Sequence, residues 1–97
     1  MYRIISGKWK AKKIAAPKNF DVRPTTDFAK EALFSIIENR YDLEFCSFLD
    51  LFAGIGSITL EFASRDCKDI TAVELNPKHA GFINSTANEL DMGLQVN

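Results

Sequence analysis

The stretch FLDLFAGIGSITLE, Phe48 to Glu61, constrains the fold more than any other part of the chain. Phe45 to Phe52 is almost wholly apolar, the pattern of a strand buried on both faces of a parallel sheet, and its one charge is Asp50. Gly54-Ile55-Gly56 then turns the chain. Ile58 to Arg65 reads as a helix with Phe62 and Ala63 facing inward. A second short strand, Ile70 to Val73, ends at Glu74. Asn76-Pro77 opens a further helix, a capping side chain followed by proline in the first turn. Ala80, Ile83, Ala87 and Leu90 are its expected buried stripe, Gly93 its end, and Leu94 to Asn97 the start of a third strand. Strands and helices alternating at this length predict an α/β, Rossmann-like, doubly wound parallel sheet.

Upstream, YRIISGKWKAKKI, Tyr2 to Ile14, predicts a β-hairpin that turns near Gly7. Lys8, Lys10 and Lys12 alternate with Trp9 and Ala11, so on a strand the lysines share one face. Ala15 to Pro24 reads as a loop between two prolines. Thr25, Thr26 and Asp27 offer capping oxygens to a helix that runs to about Asn39. Phe28, Ala32, Leu33, Ile36 and Ile37 recur at helical spacing as its apolar stripe.

Charge divides the chain. Residues 1–30 carry eight Lys/Arg against two Asp/Glu, a balance of +6, and residues 31–97 carry four against eleven, a balance of −7. A basic arm on an acidic body points to a polyanion contact, or else to a solvated terminus with nothing bound. The expected division is a basic hairpin and loop over 1–22 and a cofactor domain over 23–97. The two cysteines, Cys46 and Cys67, lack metal-type spacing, so no metal is expected, and they read as buried small hydrophobes in a reducing compartment. No apolar run approaches the roughly 20 residues needed to span a bilayer, and no secretory leader is evident, which predicts a cytoplasmic protein. His79, the single histidine, reads as a solvated or capping residue, and Glu61 as solvated or structural.

The glycine turn can be merely tight, or it can hold a ligand at the carboxyl end of the first parallel strand, where such sheets bind nucleotides. Gly54 and Gly56 allow close backbone approach. Glu74, 18 residues after Gly56, is spaced to accept hydrogen bonds from ribose hydroxyls. A dinucleotide fingerprint wants a third glycine where this chain has Thr59, and no Lys-Ser/Thr pair follows the turn as in a P-loop. Asp50 can brace the turn or reach the amine of an amino-acid moiety. S-adenosylmethionine carries both an amino-acid end and a ribose, and Asp50 with Glu74 fits it.

FLDLFAGIGSITLE with AVELN resembles the first two motifs of class I S-adenosylmethionine-dependent methyltransferases. RIISGKWKAKKI and VRPTTDFAKEALFSII narrow the likeness to the RsmD type of bacterial enzyme, which methylates a guanine N2 in 16S, small-subunit, ribosomal RNA. The resemblance covers Arg3 to about Asn84. It implies that Asp50, Ala53, Gly54 and Gly56 shape the pocket for the methionine end and that Glu74 binds the ribose. Arg23, Thr25 and Thr26 would lie near the cofactor or the RNA, with Thr26 on the cofactor side. Arg3, Lys8, Lys10, Lys12 and Lys13 would contact phosphates. Trp9 would stack on a base, or pack the hairpin onto the domain.

The family's Asn/Asp-Pro-Pro-aromatic motif, which grips the target amine, is absent: Pro17, Pro24 and Pro77 are all separate. The expectation is therefore the cofactor-binding N-terminal half of a longer RNA methyltransferase, with no catalytic residue of its own and inactive by itself. The intact enzyme is expected to be a monomer acting on ribosomal RNA or the small subunit, while the short piece can associate through its uncovered sheet. The alternatives are a noncatalytic RNA-binding module with a vestigial cofactor fold, and part of a nicotinamide-dependent enzyme.

Overall fold

A computed structural model describes residues 2–15 and 25–93. Arg23, most of the proline-bracketed loop and the expected third strand lie outside the described residues, as does the expected boundary at 22/23. In chain order the elements are β1 (Tyr2–Arg3), β2 (Lys13–Ile14), α1 (Asp27–Arg40), a 3-10 turn (Leu43–Phe45), β3 (Ser47–Asp50), α2 (Ser57–Ser64), β4 (Asp69–Ala72) and α3 (Pro77–Glu89). β1 and β2 pair antiparallel, and β3 and β4 pair parallel with Ser47 opposite Asp69 and Asp50 opposite Ala72. The predicted β-α-β-α order is present. The caps read from sequence also form: Thr26 accepts from the Ala29 N–H at 3.2 Å, and Asn76 from the Lys78 N–H at 2.9 Å.

Four local expectations are corrected. The hairpin does not turn tightly at Gly7. Strand-like bonding stops at Ile4, whose N–H donates to the Lys12 carbonyl at 2.9 Å and whose carbonyl accepts from the Ala11 N–H at 2.8 Å. Residues 5–10 form a wide loop, so Lys8 and Lys10 do not share a strand face with Lys12. The loop is held by α2 instead. Glu61 accepts the Ile5 and Ser6 N–H groups at 2.9 and 3.1 Å, and the Ser64 carbonyl and hydroxyl accept those of Lys8 and Trp9. A Cβ on Gly7 would strike the Ser64 carbonyl, so the loop lies on the helix only because that residue has no side chain.

The second correction concerns α1. Its buried residues are Lys30 and Phe34, whereas Phe28 is 84% exposed and Leu33 and Ile36 are also exposed. The helix presents the face beside its periodic stripe to the body, because that face carries the cation Glu61 needs. Lys30 and Glu61 are both 0% exposed, with Nζ 3.5 Å from Oε1, and Nζ also donates to the Arg3 carbonyl at 2.5 Å. Burial lowers the Lys30 pKa, and the neighbouring Glu61 carboxylate opposes that shift. Arg65 extends the network, 2.8 Å from Glu61 and 2.6 Å from Glu38. Glu61 is thus structural and fully buried rather than solvated.

Third, β3 is covered on one face. Phe48 stacks on Phe62 of α2 with ring centroids 3.7 Å apart, and Phe34 meets Phe62 edge-on at 4.7 Å. Leu49 and Leu51 point outward among the described residues, and Phe52 is 92% exposed. Fourth, α3 buries His79, Ile83, Thr86 and Ala87 while Ala80 is exposed. The buried row starts one residue earlier than the apolar pattern indicates, so His79 is a buried side chain and not a solvated one. The core cluster joins Tyr2, Ile4 and Ile14 of the hairpin to Phe34, Leu60, Phe62, Ile70, Ile83 and Met92.

Candidate functional site

The parallel pair carries its ligand-competent groups at its carboxyl end. Pairing continues past the strands: the Val73 N–H donates to the Asp50 carbonyl at 2.7 Å, and the Ala53 N–H to the Val73 carbonyl at 3.0 Å. The glycine turn is therefore held beside the end of β4. Gly54 and Gly56 have φ of 58° and 89°, where an L side chain is strained. Their surroundings differ. A Cβ on Gly56 would lie 3.0 Å from Ile83 Cγ1, so that glycine lets α3 pack against the turn. A Cβ on Gly54 would meet nothing within 4 Å, so the space above that residue is open to a ligand.

Glu74 closes the site from the other strand. Its Oε1 accepts the Gly54 N–H at 2.8 Å and its Oε2 the Asn76 N–H at 3.0 Å. The Asn76 N–H bond, followed by the Gly54 N–H and nearby His79, holds its carboxyl below the usual carboxylate range against the opposing effect of burial. An ionised carboxylate keeps a spare lone pair on each oxygen, which suits a pair of ligand hydroxyls. His79 Nδ1 lies 3.8 Å from Oε2.

Asp50 is half-buried, and its Oδ2 accepts from the Thr59 hydroxyl at 2.8 Å. The turn is also gripped from below: the buried Tyr2 hydroxyl donates to the Ile55 carbonyl at 2.8 Å. Burial pushes the Tyr2 phenol pKa up, so it stays a donor. Ser57 follows the turn, and its hydroxyl is a buried oxygen without a hydrogen-bond partner among the described residues. The open space at Gly54 and the two oriented carboxylates fit a ligand with one cationic and one polyhydroxyl end.

Asp50, Ala53, Gly54, Gly56 and Glu74 are thus brought to one edge. Thr26 is bonded within its own helix, to Ala29. Arg3 pairs with Asp27 at 2.6 Å on the surface. Lys8, Lys10, Lys12 and Lys13 are exposed, with the Lys8 ammonium 5.6 Å from the Trp9 ring centre. Trp9 is half-buried against the core cluster. A cleft of about 470 Å³ between hairpin and α1, lined in part by Arg3, Lys10, Glu31 and Arg65, is separate from the turn. Tyr2 was not foreseeable as a site feature, since no local spacing links residue 2 to residue 55, and neither Ser57 nor the Thr59–Asp50 bond carries a motif of its own.

Comparison with known proteins agrees with this fold. The family described as conserved hypothetical protein 95 matches residues 2–97. The ribosomal RNA small subunit methyltransferase D of Haemophilus influenzae is 37% identical over 94 residues, which is 97% of this chain and 44% of that protein. The enzyme of the same name from Escherichia coli strain K12 is 38% identical over 74 residues, 76% of this chain and 36% of its own. Among solved structures, a hypothetical protein of Thermus thermophilus superposes with a TM-score of 0.84 at 29% identity, covering 99% of this chain and 54% of that one. The Escherichia coli protein yhhF, provisionally described as a methyltransferase, gives 0.83 at 27% identity, covering 99% and 50%. The chain spans half or less of the length of these curated relatives. It has the Rossmann-like α/β fold of methyltransferases and belongs to the conserved hypothetical protein 95 family, that of the ribosomal RNA small subunit methyltransferases D.

Proposed function

We propose that this chain is the cofactor-binding part of an S-adenosylmethionine-dependent methyltransferase that modifies a guanine N2 of 16S ribosomal RNA. The observation that carries the reading is the pair of carboxylates on either side of an open glycine: Asp50 with one oxygen tied to Thr59, and Glu74 anchored by the Gly54 and Asn76 N–H groups. Asp50 would take the amine of the methionine end, Glu74 the ribose hydroxyls, and Gly54 would let the ligand lie on the backbone. The bound cofactor supplies an activated methyl group, and the residues here bind and orient it so that transfer becomes a matter of positioning. The name shared by the relatives supports small-subunit RNA as the substrate.

The exposed lysines at 8, 10, 12 and 13 support the RNA side of the proposal, as basic groups on a segment tied to α2 through the Ile5 and Ser6 N–H groups. The basic segment over 1–22 would be the RNA contact, with Arg3, Trp9 and Arg23 as further contacts, and Thr26 would border the cofactor. A cytoplasmic location follows from such a substrate, and among the described residues no helix is long and apolar enough to cross a membrane. The test is calorimetric titration of the full-length protein with S-adenosylmethionine, followed by nucleoside analysis of 16S RNA incubated with both. Micromolar binding that Glu74→Ala abolishes, together with new N2-methylguanosine, is the expected result. RNA binding without cofactor affinity would overturn the proposal in favour of a noncatalytic RNA-binding module.

A further inference from the structure

Thr59 stands where a dinucleotide-binding turn has its third glycine. That glycine serves close packing of helix on strand. Here the side chain does the opposite of vanishing: it is 0% exposed in the first turn of α2 and bonds across to the end of β3. Threonine is β-branched, so its χ1 is restricted in a helix and its hydroxyl has few directions available. The hydroxyl has one proton to give, and Asp50 Oδ2 receives it at 2.8 Å. Oδ1 has no partner among the described residues. An aspartate at half exposure without this tether would sample several rotamers. With it, one oxygen is committed to the protein and the other remains for a ligand.

We infer that Thr59 is a positioning residue that holds Asp50 for the amine of a cofactor's amino-acid end, and so selects adenosine ligands that carry such an end. The inference rests on the cofactor reading above. It assigns Thr59 no contact with the ligand, and it predicts an effect confined to one end of it. Glu74 is anchored independently by backbone N–H groups, so ribose recognition does not pass through Thr59.

The test uses the full-length protein and two probes, S-adenosylhomocysteine and 5′-methylthioadenosine, which share adenosine and thioether but differ in the amino-acid end. Thr59→Val keeps the branched shape and removes the hydroxyl. It is expected to raise the Kd for S-adenosylhomocysteine about tenfold, the scale of one charge-assisted hydrogen bond. It should leave the Kd for 5′-methylthioadenosine within about twofold, since that probe lacks the amine Asp50 would meet. Thr59→Ser, which restores the hydroxyl, should bring S-adenosylhomocysteine back to within about threefold of the parent. Equal weakening of both probes would mean that Thr59 only supports the fold, and the inference falls. No change in either would also overturn it. A parent protein that binds neither probe would refute the cofactor reading itself, an outcome distinct from both.

Discussion

Replacing Glu61 by alanine should release the hairpin while leaving the parallel sheet intact. In the parent, Glu61 accepts the Ile5 and Ser6 N–H groups and faces the fully buried Lys30. Without the carboxylate, a docked hairpin must keep an ammonium in the interior or lose its proton. Deprotonating a free lysine at pH 7 costs about 4.6 kcal/mol, at ~1.36 kcal/mol for each pH unit below ~10.4. This caps the penalty at Lys30, because neutralisation is always open to it. Two N–H groups without an acceptor add about 1 kcal/mol each at the low end. Staying docked therefore costs roughly 7 kcal/mol. Undocking exposes Tyr2, Ile4 and Ile14, each contributing about 1.5–3 kcal/mol of burial, or roughly 5–9 in all. The two alternatives are comparable, so the hairpin should open locally rather than the whole chain unfold.

Amide hydrogen exchange followed by NMR reads this directly. In Glu61→Ala the amides of Ile5, Ser6, Lys8 and Trp9 should lose protection by at least about a hundredfold, while those of β3 and β4 keep theirs. Adding Lys30→Met removes the buried charge and should restore a large part of the protection, since an apolar pair avoids the desolvation cost. Hairpin amides that stay protected in Glu61→Ala, or a double variant no better than the single one, would refute the idea that this ion pair holds the hairpin down.

The two turn glycines should separate by phenotype: Gly56→Ala forces Ile83 aside at a positive φ and should lower stability by about 2–3 kcal/mol, measured by calorimetry. Gly54→Ala has open space and should lose only about 1–2 kcal/mol, with the larger effect on S-adenosylmethionine affinity. Glu74 has a lowered folded pKa, so its stabilising contribution is full above the unfolded carboxylate range and is lost as pH falls through the folded value. Urea melts from pH 7 to pH 3 should accordingly fall less steeply for Glu74→Gln than for the parent. Converting Lys8, Lys10, Lys12 and Lys13 to alanine should weaken RNA binding. The slope of log K against log salt should fall by up to about 0.7 for each single-strand phosphate that is no longer neutralised.

Local chemistry made much of this protein readable in advance. The strand, glycine turn and helix at 47–64, the Asn76-Pro77 helix start and the acid at Glu74 all depend on neighbours within a few residues. Periodicity also showed that α1 has an apolar stripe through Phe28, Leu33 and Ile36. It did not show which face meets the body, because a stripe records amphipathicity and carries no information about what lies opposite. The face was decided by Lys30 finding Glu61, two charges 31 positions apart that are tolerable at zero exposure only as a pair. The alternation of Lys8, Trp9 and Lys10 likewise looked like a strand until Glu61, Ser64 and the bare Gly7 drew the loop onto α2. The same holds at the site. Sequence placed Asp50 inside the strand before the glycine turn and Glu74 at the end of the next strand, whereas the bond of Thr59 to Asp50 depends on how α2 leaves the turn, and the grip of Tyr2 on Ile55 arises only when distant elements pack. Hydrogen bonds between side chains and remote backbone leave no periodic trace, and the tertiary structure alone decides them.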